Sequence, residues 1–291
     1  MHDINYFIKI KDEINEYIKK KTIVKLNELF FKLDKNLNVI NIIITCLLDN
    51  AYEDLTMEDF NSVKVDNDNT QEIYDEILYK EEIEKLQIYF PYDKFYIKDH
   101  KIACNGGLTI NSSITLEKLP DNLQLHYLYI SRGCKLKALP NNLTVNTLTI
   151  NNDLITKLPH NLTVISRLEA PFSNITELPD DLHVNYLDMH SSKLKYIPEN
   201  IKYFAYLNIS FCNNIKKLPD NLEIPDILNI SFSSIRKLPN NLHVRALHMR
   251  NTKIKELPLD LVVTDKIFIS KDMEDIKNFD KFRDKIIIMQ N

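Results

Sequence analysis

The doublet Leu-Pro or Ile-Pro ends at Pro120, Pro140, Pro159, Pro179, Pro198, Pro219, Pro239 and Pro258, at intervals of 20, 19, 20, 19, 21, 20 and 19 residues. A second landmark keeps step with it, an apolar pair spaced by two: Leu108 and Ile110, Leu128 and Ile130, Leu148 and Ile150, Leu168 and Ala170, Leu187 and Met189, Leu207 and Ile209, Leu228 and Ile230, Leu247 and Met249, Ile267 and Ile269. A third apolar position lies four residues before each proline: Leu116, Leu136, Ile155, Ile175, Leu194, Ile215, Ile235, Ile254. Three landmarks in register over eight turns demand a structure with one short unit per period.

A pair spaced by two puts both side chains on one face of a strand. One turn cannot bury that face alone, so successive turns must stack their strands into a parallel sheet. Leu123, Leu143, Leu162, Leu182, Leu222 and Leu242 close the core from the return side. Proline has no N–H to satisfy and stiffens the outer arc. Some 20 residues leave no room for a convex α-helix. The slot two residues before the third landmark (Cys134, Asp153, Ser173, Ser192, Asn213, Ser233, Thr252) is expected to turn inward and satisfy backbone groups of the bend.

A period near 20 with this pattern is the signature of a leucine-rich repeat solenoid. The phrase resembles the short bacterial leucine-rich repeat found in secreted ubiquitin-ligase effectors of enteric pathogens, over roughly residues 105–270. The resemblance implies a sheet-bearing concave face without convex helices. In those effectors the ligase is a separate C-terminal helical domain with a Cys-x-Asp motif. This chain runs about 30 residues past its last Leu-Pro, and none of its cysteines has Asp two residues on. The ligase activity is therefore not carried over, and an adaptor role for a ligase-like enzyme is what remains of it.

The expected fold class is α+β. A helical domain over 1–91 leads, through lead-in strands and an N-terminal cap over 92–107, into the solenoid over 108–270, with a C-terminal cap over 271–291. In the first part, Phe7, Ile10, Ile14 and Tyr17 share one helical face, as do Ile23, Leu26, Phe30 and Leu33. The run Leu37–Leu48 is apolar all round, fit for a buried helix and too short to span a bilayer. A further helix is expected over 71–90. At the far end, 273–285 reads as helical and Ile286–Met289 as a last strand.

Charge is uneven. Residues 1–100 carry 13 Lys and 21 acids, a net of −8; the rest carries 24 basic and 20 acidic residues, a net of +4, giving −4 for the 291 residues. The acidic excess over 49–84 would suit a mimic of nucleic acid or a dock for a basic partner. Lys137, Lys157, Lys195, Lys216, Lys217, Arg236, Lys237 and Lys255 would line one edge of the solenoid, where nucleic acid is the alternative partner. No N-terminal stretch has the apolar centre of a signal peptide, and Cys46, Cys104, Cys134 and Cys212 show no clustered spacing. The expected location is cytoplasmic, in the producing cell or in a host cell, with reduced thiols and no membrane contact.

Three glycines cannot write a phosphate-binding loop, and neither HExxH nor CxxC occurs. No catalytic residue, cofactor, metal or small-molecule substrate is expected. His190 and His248, three turns apart, would stand roughly 14 Å from each other, too far to share a metal ion. The informative surface is the concave face, at positions flanking the core pairs: Tyr127, Tyr129, Arg167, Glu169, Tyr186, Asp188, His190, Tyr206, Asn208, Asn229, His248 and Arg250. Tyrosine and arginine are enriched at protein interfaces. The expectation is a non-enzymatic binding module, an effector or phage-type inhibitor that engages a host protein.

Overall fold

A computed structural model describes residues 79–80, 82–201 and 203–290. Of these, Tyr79–Leu86 and Ile97–Lys101 belong to one compact unit, and Gln87–Tyr96 with the residues from Ile102 onward belong to a second. The helices expected before residue 71 lie outside the described residues. Within the helix expected over 71–90, residues 79, 80 and 82–89 are helical.

Strands β1 (Phe95–Lys98) and β2 (Lys101–Cys104) are joined by Asp99 and His100, both at positive φ, as a two-residue hairpin turn requires. The chain then winds as a parallel β-solenoid. Its strands are β3 (Leu108–Ile110), β4 (Leu123–Ile130), β5 (Thr144–Ile150), β6 (Thr163–Glu169), β7 (Tyr186–Asp188), β8 (Tyr206–Asn208), β9 (Glu223–Asn229), β10 (His243–His248), β11 (Val262–Val263), β12 (Ile267–Ser270) and β13 (Ile286–Met289). From β4 to β10 each strand pairs with the next in sequence order, and β12 and β13 follow. At both ends one turn is split in two: β2 and β3 both pair with β4, and β11 and β12 both pair with β10. The register joins repeat landmarks, Leu128 to Leu148 to Leu168 to Leu187 to Leu207 to Leu228 to Leu247 to Ile267.

Both residues of each core pair are buried, as are the third landmark from Leu136 onward and the return leucines. Each such side chain contributes about 1.5–3 kcal/mol relative to exposure. The arcs that begin at the Leu-Pro doublets contain no helix among the described residues. Two bends in each turn force the chain back on itself. After the proline, Asn122, Asn142, Asn161, Asn221 and Asn241 take φ between 53° and 59°. Asparagine tolerates this left-handed conformation better than other side chains. The amides also form rungs, Asn142 Nδ2 donating to Asn122 Oδ1 and Asn241 Nδ2 to Asn221 Oδ1, each at 2.9 Å. Where that bend is absent, after Pro179, Pro198 and Pro258, the chain closes by Leu182 N–H to Pro179 O, Ile201 N–H to Pro198 O and Leu261 N–H to Pro258 O instead. The strands that follow are short: β7 and β8 have three residues each and β11 has two.

Two expectations need correction. The inward slot holds Cys134, Asn152, Ser173, Ser192, Cys212, Ser233 and Thr252, all buried, so Asn152 and Cys212 replace Asp153 and Asn213. These two turns carry one more residue between slot and landmark, and a fixed offset from the landmark misses it. Asn152 Oδ1 accepts from Leu154 N and Ile155 N, its Nδ2 donates to Cys134 O, and Cys212 Sγ donates to Met189 O. The second correction is the helix expected over 273–285. Two short 3-10 turns, Lys271–Met273 and Phe279–Phe282, stand there instead. Lys277 N–H bonds Lys255 O, and Leu257 N–H bonds Lys277 O, so the segment continues the rungs; Asn278 at φ 65° breaks it. Backbone groups offered by the preceding turn override local helix propensity.

Gly107 has a steric reason. A Cβ there would lie 2.3 Å from the Tyr127 ring and 2.4 Å from its carbonyl oxygen.

Candidate protein-binding face

Each strand of the solenoid buries one face and leaves the other to solvent. On the open face the residue before the first core position and the residue between the pair form two columns. Tyr127 and Tyr129 on β4 are exposed, and Tyr129 Oη accepts from Asn151 Nδ2 at 3.1 Å. Thr147 and Thr149 on β5 separate them from the next group. There the Arg167 guanidinium lies 3.8 Å from the Tyr186 ring centroid, and Tyr186 stacks on Tyr206 at 4.1 Å with planes 1° apart. Because β6, β7 and β8 are successive rungs, the three side chains form one continuous stack.

Arg167 Nη1 also donates to Glu169 Oε1 at 2.8 Å, and this bond raises the guanidinium pKa above its ordinary value. Burial, then the adjacent Tyr186 phenol, pushes the Tyr206 phenol well above its ordinary value, so it stays neutral. Two rungs on from β8, the His248 ring lies 4.3 Å from that of Phe268, tilted by 35°. Burial and then the nearby Arg250 and Arg245 lower its pKa.

Asp188, Asn208 and Asn229 have a local task. Asp188 Oδ1 accepts from His190 N at 3.0 Å and lies 2.7 Å from His190 Nδ1. Asn208 Oδ1 accepts from Ser210 N and Oγ, and Asn229 Oδ1 from Ser231 N. Each carbonyl or carboxylate oxygen folds back onto the backbone two residues on and ends the strand. Asn208 is 9% exposed, which takes it out of the displayed surface. Ser210, Ser231 and Ser270, each the residue after a core pair, are buried as well. Ser210 and Ser231 lie past the ends of β8 and β9, where strand alternation has stopped.

Sequence spacing missed the rim. Phe172, Phe211 and Phe232 occupy the same position of their turns, at φ of 55°, 58° and 58°. Phe172 N–H bonds His190 O, Phe211 N–H bonds Ser231 O, and Phe232 N–H bonds Arg250 O, so each ties its turn to the next. Phe172 is 68% exposed and Phe211 48%. Phe211 stacks on Phe232 at 4.5 Å, the Arg250 guanidinium lies 5.9 Å from the Phe232 centroid, and Phe172 meets the His190 ring edge-on at 5.0 Å. The signal was present as Pro-Phe-Ser (171–173), Ser-Phe-Cys (210–212) and Ser-Phe-Ser (231–233), four residues past the first core leucine each time. The same position holds Ser191 and Asn251 in other turns.

Burial raises the thiol pKa of Cys104 and of Cys212. Among the described residues no three His, Cys, Asp or Glu side chains are grouped to hold a metal ion, and no helix is long and apolar enough to cross a membrane. No protein-family model matches the chain, and no curated protein matches it.

Proposed function

We propose that the chain is a leucine-rich repeat protein that binds a protein partner through the open face of its sheet. The observation that carries this reading is the row of phenylalanines held in the left-handed region at the edge of that face. A left-handed backbone costs a side-chain-bearing residue about 1–2 kcal/mol. Bulky residues rarely accept it, and such strain concentrates at functional positions. Asparagine or glycine would form the same bend with less strain, and Asn251 does so two turns past Phe211. A ring that is two-thirds exposed, as Phe172 is, recovers little by burial in its own chain. Its use lies in contact with another molecule.

The Arg167–Tyr186–Tyr206 stack shares a turn with this rim, since β7 carries both Tyr186 and Asp188, and Asp188 holds the His190 that meets Phe172. Rigid aromatic rings with an arginine are the composition of interface anchors. The partner is proposed to be a host protein, and the role that of an effector or phage-type inhibitor without catalytic activity, by resemblance to the short bacterial repeats. The test is retention of partner protein on immobilised wild-type chain against Tyr186→Ala/Tyr206→Ala. Anchors of this kind contribute about 2 kcal/mol each, so the double variant is expected to weaken affinity about a thousandfold. Undiminished affinity would refute the assignment of this face.

A further inference from the structure

We infer that the outer turns of the solenoid carry a second surface, which binds the phosphate backbone of nucleic acid without reading bases. The residue after the third landmark is Lys195, Lys216, Arg236 and Lys255 in four successive turns, each following a buried Leu194, Ile215, Ile235 or Ile254. All four are exposed, and among the described residues none forms an ion pair. Rungs at about 4.8 Å place the four cations within roughly 14 Å. Lys193, Lys237 and Lys253 lie on the same outer segments and are likewise exposed.

The arrangement is not the one that solubility alone would select. Elsewhere on these arcs charge is neutralised between turns: Lys137 with Glu117 at 2.8 Å, Lys217 with Glu199 at 3.1 Å, Lys277 with Glu256 at 3.0 Å. Earlier in the same column stand Thr156 and Thr176. Like charges facing each other on neighbouring rungs destabilise a sheet-like stack. Four in register is therefore a concentration of potential that an external polyanion would relieve.

The neighbouring side chains choose the class of polyanion. Asn174, Asn214 and Ser234 flank the column, and Tyr196 is the one large exposed apolar side chain on these segments. A protein partner needs desolvated anchors to bind tightly. A phosphate backbone needs cations alone, and releases counterions on contact. Flexible lysines fit point contacts to phosphate, and nothing on these turns is shaped to enter a groove.

The experiment is fluorescence anisotropy of the full chain with a random-sequence DNA duplex of about 20 base pairs, between about 50 and 200 mM salt. Four phosphate contacts give an expected slope of about −3.6 in log K against log salt, or about a hundredfold loss over that range. Lys216→Glu/Arg236→Glu is expected to lower the affinity at least tenfold at the low salt and to halve the slope or more. Lys216→Gln/Arg236→Gln should do the same to a lesser degree, and decides the matter if charge reversal disturbs folding. Tyr186→Ala/Tyr206→Ala should leave duplex binding unchanged, which separates this surface from the sheet face. Absence of duplex binding at low salt, a slope untouched by both basic-column variants, or equal displacement by poly-glutamate at matched charge would each overturn the proposal.

Discussion

Leu207 and Tyr206 are adjacent on β8 and have opposite duties. Leu207 is fully buried between Leu187 and Leu228, while Tyr206 lies on the open face against Tyr186. Leu207→Ala removes atoms from a close-packed column and is expected to cost about 2–5 kcal/mol in denaturant unfolding. Tyr206→Ala forfeits one stack of about 0.5–1.5 kcal/mol plus partial burial, and should cost clearly less. Equal losses would mean that the strand faces are reversed. His248 adds a pH dependence. Its folded-state pKa lies below the ordinary 6.5, through burial first and then the charges of Arg250 and Arg245. As pH falls through 6.5 the unfolded chain therefore takes up a proton before the folded one does, and stability drops. His248→Gln is expected to flatten the stability profile below pH 6.5, read from thermal melts. A parallel shift of the whole profile would contradict this. At this scale the sequence was legible where alternation holds: Arg167, Tyr186 and Tyr206 stand on the open face as their spacing says. It was illegible at Asn208 and at Phe172, Phe211 and Phe232. These lie at or beyond the strand's end, where a side-chain bond or a left-handed φ decides direction and a period of two no longer applies.

At the scale of the element, a turn is two apolar pairs held by two sharp bends. Asn161 makes one of these bends at φ 59°, with its backbone N–H donating to Asp181 Oδ2 at 3.0 Å. Asn161→Ala leaves a Cβ in the left-handed region without the short polar amide that makes this conformation tolerable, and should lower stability by about 1 kcal/mol. Asn161→Gly should be nearly neutral. Equal losses for Ala and Gly, in paired denaturant curves, would show that the bend conformation does not set the cost. The stacked strands, the buried landmarks and the helix-free arcs were all readable from the 19- to 21-residue period, because every turn repeats one burial problem. The terminal segment 273–285 was not. Its helical pattern competes with backbone groups offered by the turn beneath it, and that competition appears in no local window of sequence.

Over the whole molecule, each turn contacts only its neighbours, so stability is distributed along the stack and a surface ring can change without unfolding it. That property lets the account be tested by separating stability from binding. Two phenylalanines in the left-handed region together cost about 2–4 kcal/mol, more than the single Phe211–Phe232 stack returns at about 0.5–1.5 kcal/mol. The direct measurement is the affinity of a retained partner protein for wild type and for Phe172→Asn/Phe211→Asn, with the melting temperature of each recorded. The variant is expected to melt at the same temperature or a few degrees higher and to lose affinity at least tenfold. A variant that melts lower and binds as well as wild type would show that the rings serve the fold, and would contradict the claim that this rim is an interface.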